Sequence, residues 1–383
     1  MDQFSQGSYS KKGIAGLFVL LTLSMLFSTL WPFDPFPRNR VSWLEHSNGL
    51  RFSQRGVVLS QGPLFSTGET PCTLELWIEP AQTDLVSAVL VSYEPHNPWR
   101  FLIKQYHGGL IVSHDIPARF RRPRTFKIDI HDVLRRNQLS FITITSSEKG
   151  TSVYVDGRLK KSFPRFRIGL DDLSGQLVFG SSTVHFDPWA GEAHGIAIYA
   201  WQFTPDEVAK SYDDWTAAEG SSKTQSHGAL VKYTFSERAG TIVHDQGDSK
   251  KDLFIPTTYR VPHHSFLTPP WREFNPAWDY YSDVLQNIAG FMPFGFLLCA
   301  LLTFVRRSRH PIFYTILLGC LLSFCIELIQ AYIPQRGSGV TDIITNTLGT
   351  ALGAMLMQFK MIRNLFERVV GDSFAKIAGS VSD

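Results

Sequence analysis

The chain has 383 residues, enough for two or three domains, and its 44% hydrophobic and 13% aromatic content suffices for packed cores. A formal charge of +3 is close to balance and gives no electrostatic reason to expect nucleic acid. Three of the four cysteines (Cys299, Cys320, Cys325) lie in apolar runs, which argues against a disulfide framework, and no Cys/His metal spacing, P-loop, dinucleotide fingerprint or HExxH occurs.

The first element is Gly13–Trp31, an apolar run without a charge, preceded by Lys11 and Lys12. Its length matches a bilayer core of about 30 Å at about 1.5 Å per residue. A cleaved signal peptide is the alternative. The run is longer than the usual h-region of about 7–15 residues, and no small-x-small cleavage site follows. The reading is an uncleaved anchor, with residues 1–36 as tail and first span.

Residues 37–262 read as one exported domain. Short alternating runs such as TLELWIEP (73–80), SFITITS (140–146) and GQLVFGSS (175–182) are separated by turn signals. That pattern predicts an all-β sandwich or jelly roll. Asp156-Gly157, between two alternating runs, predicts a two-residue type I′ hairpin turn.

Residues 263–282 form a linker back to the membrane, and 283–360 hold three more apolar runs: Val284–Val305, Ile312–Ile333 and Ile343–Phe359. Arg306, Arg307 and Arg309 follow the first of these, and Lys360 and Arg363 follow the last. If every run crosses, all basic clusters fall on one side. The positive-inside rule makes that side cytoplasmic. The fold class expected is a four-helix transmembrane bundle plus an extracytoplasmic jelly-roll sandwich, with both termini cytoplasmic. The tail, 361–383, has the spacing of an amphipathic helix on the inner leaflet, or is a plain solvated terminus.

Polar residues near the outer ends of these spans set up the main functional question. Asp283 and Asn287 are four apart, Glu327 and Gln330 three apart, and Asp342 and Asn346 four apart. Such spacings put each pair on one helical face. Arg336 lies in the loop between the last two pairs, and arginine suits bidentate pairing with carboxylate or phosphate. Ionisable groups at membrane depth point to function. The expected site therefore has Glu327 and Asp342 as candidate acid/base groups. Asp283, Asn287, Gln330, Arg336 and Asn346 are candidate ligand-binding groups. The plainer alternative is that Asp283 and Asp342 are helix N-caps and Arg336 touches lipid headgroups. Gly349 and Gly353 form a small-xxx-small face for close packing, and Pro293 predicts a kink.

Two stretches of the chain resemble known families. TLELWIEP, VYVDGRL (153–159) and GEAHGIAIYAWQFTPDEVAKSYDDW (191–215) are similar to LamG/concanavalin A-like jelly rolls. ALVKYTFSERAGTIVHDQG (229–247) resembles the opening strand of such a domain but comes near its end, as in a permuted sandwich. The resemblance implies glycan or protein binding, in some members with calcium. Acidic candidates are Asp171, Asp172, Asp213 and Asp214; aromatic candidates for stacking on sugars are Trp99, Trp189 and Trp201. The plainer and favoured reading is that the aspartates are turn residues and the tryptophans core. Glu75 and Glu79 share a strand face, and no carboxylate pair for glycoside hydrolysis stands out, so the domain reads as a binding module.

DVLQNIAGFMPFGFLL (283–298), ELIQAYIPQR (327–336) and TDIITNTLGTALG (341–353) resemble the VanZ family. That resemblance implies the bacterial cytoplasmic membrane and envelope, and a link with low-level resistance to the glycopeptide teicoplanin. It names no reaction. Three functions stay open: a binder of an anionic, lipid-linked ligand at the outer leaflet; an intramembrane enzyme acting on a lipid-linked envelope precursor; and a scaffold that anchors the jelly roll. Transport is a weaker fourth idea.

Overall fold

A computed structural model of the chain describes residues 2–64, 71–116, 124–183, 186–217, 228–260, 262, 266–366 and 368. The chain divides into two compact units: residues 36–264, and residues 1–35 with 265–383.

The first unit is a β-sandwich. Among the described residues, sixteen strands form two antiparallel sheets. One runs in the order 41–43, 50–52, 191–199, 72–80, 140–147, 150–155, 158–163, with 231–233 also paired to 191–199. The other runs 242–243, 253–254, 58–63, 176–179, 87–94, 97–106, 109–116, 124–130. Alternate residues of each strand project inward. Leu74, Leu76 and Ile78 of one sheet meet Leu90, Phe101 and Ile103 of the other in one buried core. The Asp156-Gly157 turn forms as expected: both residues have positive φ, 50° and 73°, and 150–155 pairs with 158–163. The 229–247 segment contributes to both sheets, through 231–233 and 242–243.

The α-helices are α1 (Asp2–Leu30), α2 (Pro205–Ala217), α3 (Pro270–Glu273), α4 (Trp278–Ala300), α5 (Pro311–Gln330) and α6 (Val340–Leu356), with a further helical stretch at 360–366. In the sandwich, α2 covers the outer face of the first sheet. Its start carries a capping box. Thr204 Oγ1 accepts from the Glu207 amide, and the Glu207 carboxylate accepts from the Thr204 amide at 2.7 Å. Trp215 of α2 packs over Gly195, where a Cβ would lie 2.3 Å from the indole ring. Beneath this helix Glu75 is fully buried. Its Oε2 accepts from Tyr199 and Trp215, at 3.1 and 2.9 Å. Burial pushes its pKa up, and burial pushes that of the nearby Lys232 down.

The second unit is helical. Among the described residues, three stretches are long and apolar enough to cross a membrane: Lys12–Leu30, Trp278–Val305 (α4 plus a π-helical turn at 301–305) and Pro311–Gln330. The expected fourth span is a shorter helix. α6 has 17 residues, and a turn at 357–359 ends it before the chain becomes helical again at 360–366. At about 1.5 Å per residue it falls short of a bilayer core of about 30 Å. The rest of the expected amphipathic tail lies outside the described residues. α4 continues as helix through Pro293.

Glycines let α4, α5 and α6 approach closely. A Cβ on Gly349 would lie 2.3 Å from the Ile288 carbonyl oxygen, and one on Gly353 2.0 Å from that of Met292. Thr350 sits between Gly295 of α4 and Gly319 of α5; a Cβ on either would clash with it. The small-residue face anticipated at 349 and 353 is therefore the α4–α6 contact. α1 packs through Ile14, Phe18 and Leu30, with the Phe18 and Phe294 rings 5.5 Å apart.

Candidate functional site

The start of α6 gathers groups from four segments. Its N-cap is Gly339, with extended backbone and no side chain to offer. The first N–H groups of a helix need partners, and here they come from elsewhere. Glu327 of α5 accepts from the Gly339 amide at 2.8 Å. Thr268 accepts from the Val340 amide at 3.0 Å through its carbonyl. Glu273 of α3 accepts from the Thr341 amide at 3.1 Å. The positive end of the helix dipole favours carboxylates at this place. Asp342 occupies the first turn and accepts from the Asn287 amide of α4 at 2.8 Å. Glu327 is 1% exposed, so its carboxylate is sealed inside the helical unit rather than offered to lipid.

Three of the anticipated residues, Asn287, Glu327 and Asp342, thus come together. The others do not join them. Gln330 donates to the Thr29 carbonyl at 2.9 Å. Arg336 donates to the Trp31 and Ser28 carbonyls, each at 3.2 Å. Both tie the end of α5 to the C-terminus of α1, whose last carbonyls have no partners within the helix. Arg336 makes no ion pair among the described residues and remains half-buried. Asn346 lies one turn deeper and donates to Ser323 at 2.9 Å; its Oδ1 is buried without a partner, as is Thr341 Oγ1. Asp283 is exposed. It is not an N-cap, because α4 begins at Trp278 behind Ala277; nor is Asp342, three residues past the Gly339 cap.

Glu273 was not anticipated. It lies in PPWRE, outside any apolar run, and its only signal is steric. A Cβ on Gly339 would lie 1.7 Å from Glu273 Oε1, so a larger residue there would push the carboxylate aside.

The sandwich candidates fare differently. Trp189 is fully buried among Phe52 and Phe179 and donates to Gln105 at 3.1 Å, so it is core and cannot stack on a sugar. Trp201 is half-buried against Tyr199 and Phe203. The Trp99 side chain lies outside the described residues. Asp171 pairs with Arg100 at 3.1 Å, and Asp172 caps the Gly169 amide, so both are engaged as turn residues. Asp213 and Asp214 are exposed on α2. A different surface offers more. A groove of about 350 Å³ on the second sheet is lined by the exposed Tyr106 with Lys127, Asp129 and His131.

Residues 229–362 match the VanZ/LLP1 family model, and residues 53–209 match that of the concanavalin A-like lectin/glucanases superfamily. This chain joins a VanZ-like region to a concanavalin A-like domain. The VanZ-like region covers α3 to α6 and begins within the sandwich, at the strand 231–233. No curated protein matches the chain. Among solved structures, it is similar to a Bacteroides ovatus protein assigned as carbohydrate binding. Identity is 13%, the TM-score 0.39, and the match covers 56% of this chain and 59% of that one. It is also similar to the receptor binding domain of botulinum neurotoxin mosaic serotype C/D (17% identity, TM-score 0.34, 46% and 44% covered). A third is the Ruminococcus gnavus IT-sialidase CBM40 bound to sialyllactose (13% identity, TM-score 0.33, 43% and 96% covered). The chain spans less than two thirds of the first two, and scores this low carry no argument about ligands.

Proposed function

We propose that this chain is a membrane-anchored, glycan-binding protein of the bacterial envelope. α1, α4, α5 and the shorter α6 cross the cytoplasmic membrane as a four-helix bundle, the bilayer thinning locally around the 17 residues of α6. Lys11, Lys12, Arg306, Arg307, Arg309, Lys360 and Arg363 then face the cytoplasm with both termini, and the sandwich lies outside. The groove at Tyr106 carries the glycan reading. An exposed aromatic ring beside a lysine, an aspartate and a histidine is the chemistry that holds a sugar. The ring takes the apolar face, and the polar groups take the hydroxyls. The lectin-type family match supports the same reading. The test is a glycan array probed with the full-length protein in detergent. Binding to a glycan class that is lost in Tyr106→Ala supports the proposal; absence of binding, or binding that Tyr106→Ala leaves intact, removes it.

The VanZ-like region, on this reading, holds an anionic, lipid-linked ligand at the outer end of the bundle. Arg336 supports it. The helix carbonyls it meets are neutral, so its charge is still available to a phosphate. Native mass spectrometry of gently extracted protein tests this: a lipid-phosphate mass retained by the wild type should be absent from Arg336→Ala.

A second reading is favoured by the gathering of Glu273, Glu327 and Asp342 around one helix start. A buried carboxylate, Glu327, gathered with two half-buried ones suits general acid/base work on a lipid-linked envelope precursor. Product formation that vanishes in Glu327→Gln would select this reading over binding. The teicoplanin link rests on the VanZ likeness and is tested by drug sensitivity of a deletion strain.

A further inference from the structure

The outer face of the first sheet holds a cluster that neither proposed function uses. Glu79, on strand 72–80, stands directly across from Glu192, on strand 191–199. Like charges directly opposite one another destabilise an antiparallel pair. His194 follows two residues after Glu192, hence on the same face, where the pairing shifts register between Ala193 and Gly195. One ligand atom from each of the three residues lies within 4.8 Å of the others. His194 Nε2 is 3.8 Å from Glu192 Oε2.

The histidine supplies an independent sign of a missing partner. The residue is 7% exposed. Its Nδ1 lies 3.0 Å from the Asn48 carbonyl oxygen. A carbonyl can only accept, so Nδ1 holds the proton in that bond. In the neutral ring Nε2 then carries a lone pair. That nitrogen is buried and has no hydrogen-bond partner. Burying a polar atom unpaired is costly, so the position calls for an explanation. A ring held by one nitrogen on a backbone carbonyl, with the other open, is how metal-binding histidines are oriented. Glu192 is held too. Its Oε1 accepts two N–H groups of Arg51, at 3.0 and 2.8 Å, which leaves Oε2 for the cluster.

We propose that Glu79, Glu192 and His194 bind a divalent transition-metal cation of the zinc class. The donor set decides the class. One imidazole nitrogen and two carboxylate oxygens suit zinc, whereas calcium takes about 6–8 oxygens. Tetrahedral zinc with bonds of about 2.0–2.2 Å spaces its ligand atoms roughly 3.4 Å apart, close to the histidine–glutamate separation. Three protein ligands, two of them only half-buried, leave a fourth position for water. The ion would also neutralise the repulsion across the strand pair.

The test uses the full-length chain in detergent, stripped with a chelator and titrated calorimetrically with zinc chloride. One zinc per chain is expected. His194→Ala and Glu79→Gln should each weaken binding roughly 100-fold, given that losing a mere supporting group costs about 10–100-fold. Asp171→Asn, on another turn, should bind as the wild type does. Glu79→Gln is close to isosteric and half-buried, so it carries the test if His194→Ala fails to fold. No stoichiometric uptake by the wild type would overturn the site. So would equal uptake by Glu79→Gln, or calcium bound as tightly as zinc.

Discussion

The Asn287 amide of α4 donates to the Asp342 carboxylate of α6 across 2.8 Å, joining two helices that also touch through glycine. This bond separates a scaffold role from a chemical one. Asn287→Ala removes the donor and should destabilise the helical unit by about 0.6–1.7 kcal/mol, the range found for hydrogen bonds between membrane helices. Asp342→Asn keeps an acceptor oxygen and removes the acid. It should fold with near wild-type yield and thermal stability in detergent while losing any acid-dependent activity. A collapse in yield for Asp342→Asn would favour the scaffold.

Glycine packing gives a sharper contrast. Gly353→Ala drives a methyl to within 2.0 Å of the Met292 carbonyl oxygen, a backbone atom that cannot swing away. Overpacking of this kind costs about 1–3 kcal/mol. Gly290 lies on the same α4 helix with nothing within 4 Å of its Cβ position, so Gly290→Ala should be neutral or stabilising by up to about 1 kcal/mol. Thermal denaturation of both variants in one detergent decides the point. Equal melting temperatures would refute close packing of α4 on α6.

Glu273 and Gly339 should behave as one unit. Gly339→Ala must displace the Glu273 carboxylate, and Glu273→Ala removes it. Each change leaves the Thr341 amide without its acceptor. Losing such a cap costs about 0.5–2 kcal/mol. The double variant should therefore lose little more than either single one, a coupling that a double-mutant cycle reads directly. Additive losses would show that the two residues act separately.

In the sandwich, Glu75 predicts a pH dependence. Burial raises its pKa above the ordinary 4.5, so the folded form binds the proton more tightly than the unfolded chain. Its contribution to stability is fully present below about pH 4.5 and is lost as pH rises through the raised folded value. Tryptophan fluorescence during denaturation should show wild-type stability falling across that window relative to Glu75→Gln. Parallel profiles for the two proteins would contradict it.

How much of this was legible in the sequence depends on the range of the interaction. Charge-free runs and alternating runs set α1, α4, α5 and the strands, because helix and strand periodicities are local. Asp156-Gly157 set its own turn, since φ must be positive at both residues. Spacing also placed Asp342 and Asn346 on one face, and Gly349 and Gly353 at a contact.

Partner choice was not local. Spacing put Gln330 on a face with Glu327, yet it bonds Thr29, and Arg336 bonds Ser28 and Trp31; in each case the partners come from the far end of the chain. Glu273 reaches α6 only because 268 pairs with 339 and brings the two segments together. Trp189 is core because the two sheets close over it, which no reading of its neighbours in sequence reveals. The sequence by itself determined which segments are helix, strand or turn and how polar each face is. Tertiary structure decided which polar groups meet, because the unpaired N–H and C=O groups at helix ends take whichever partner packing brings within reach.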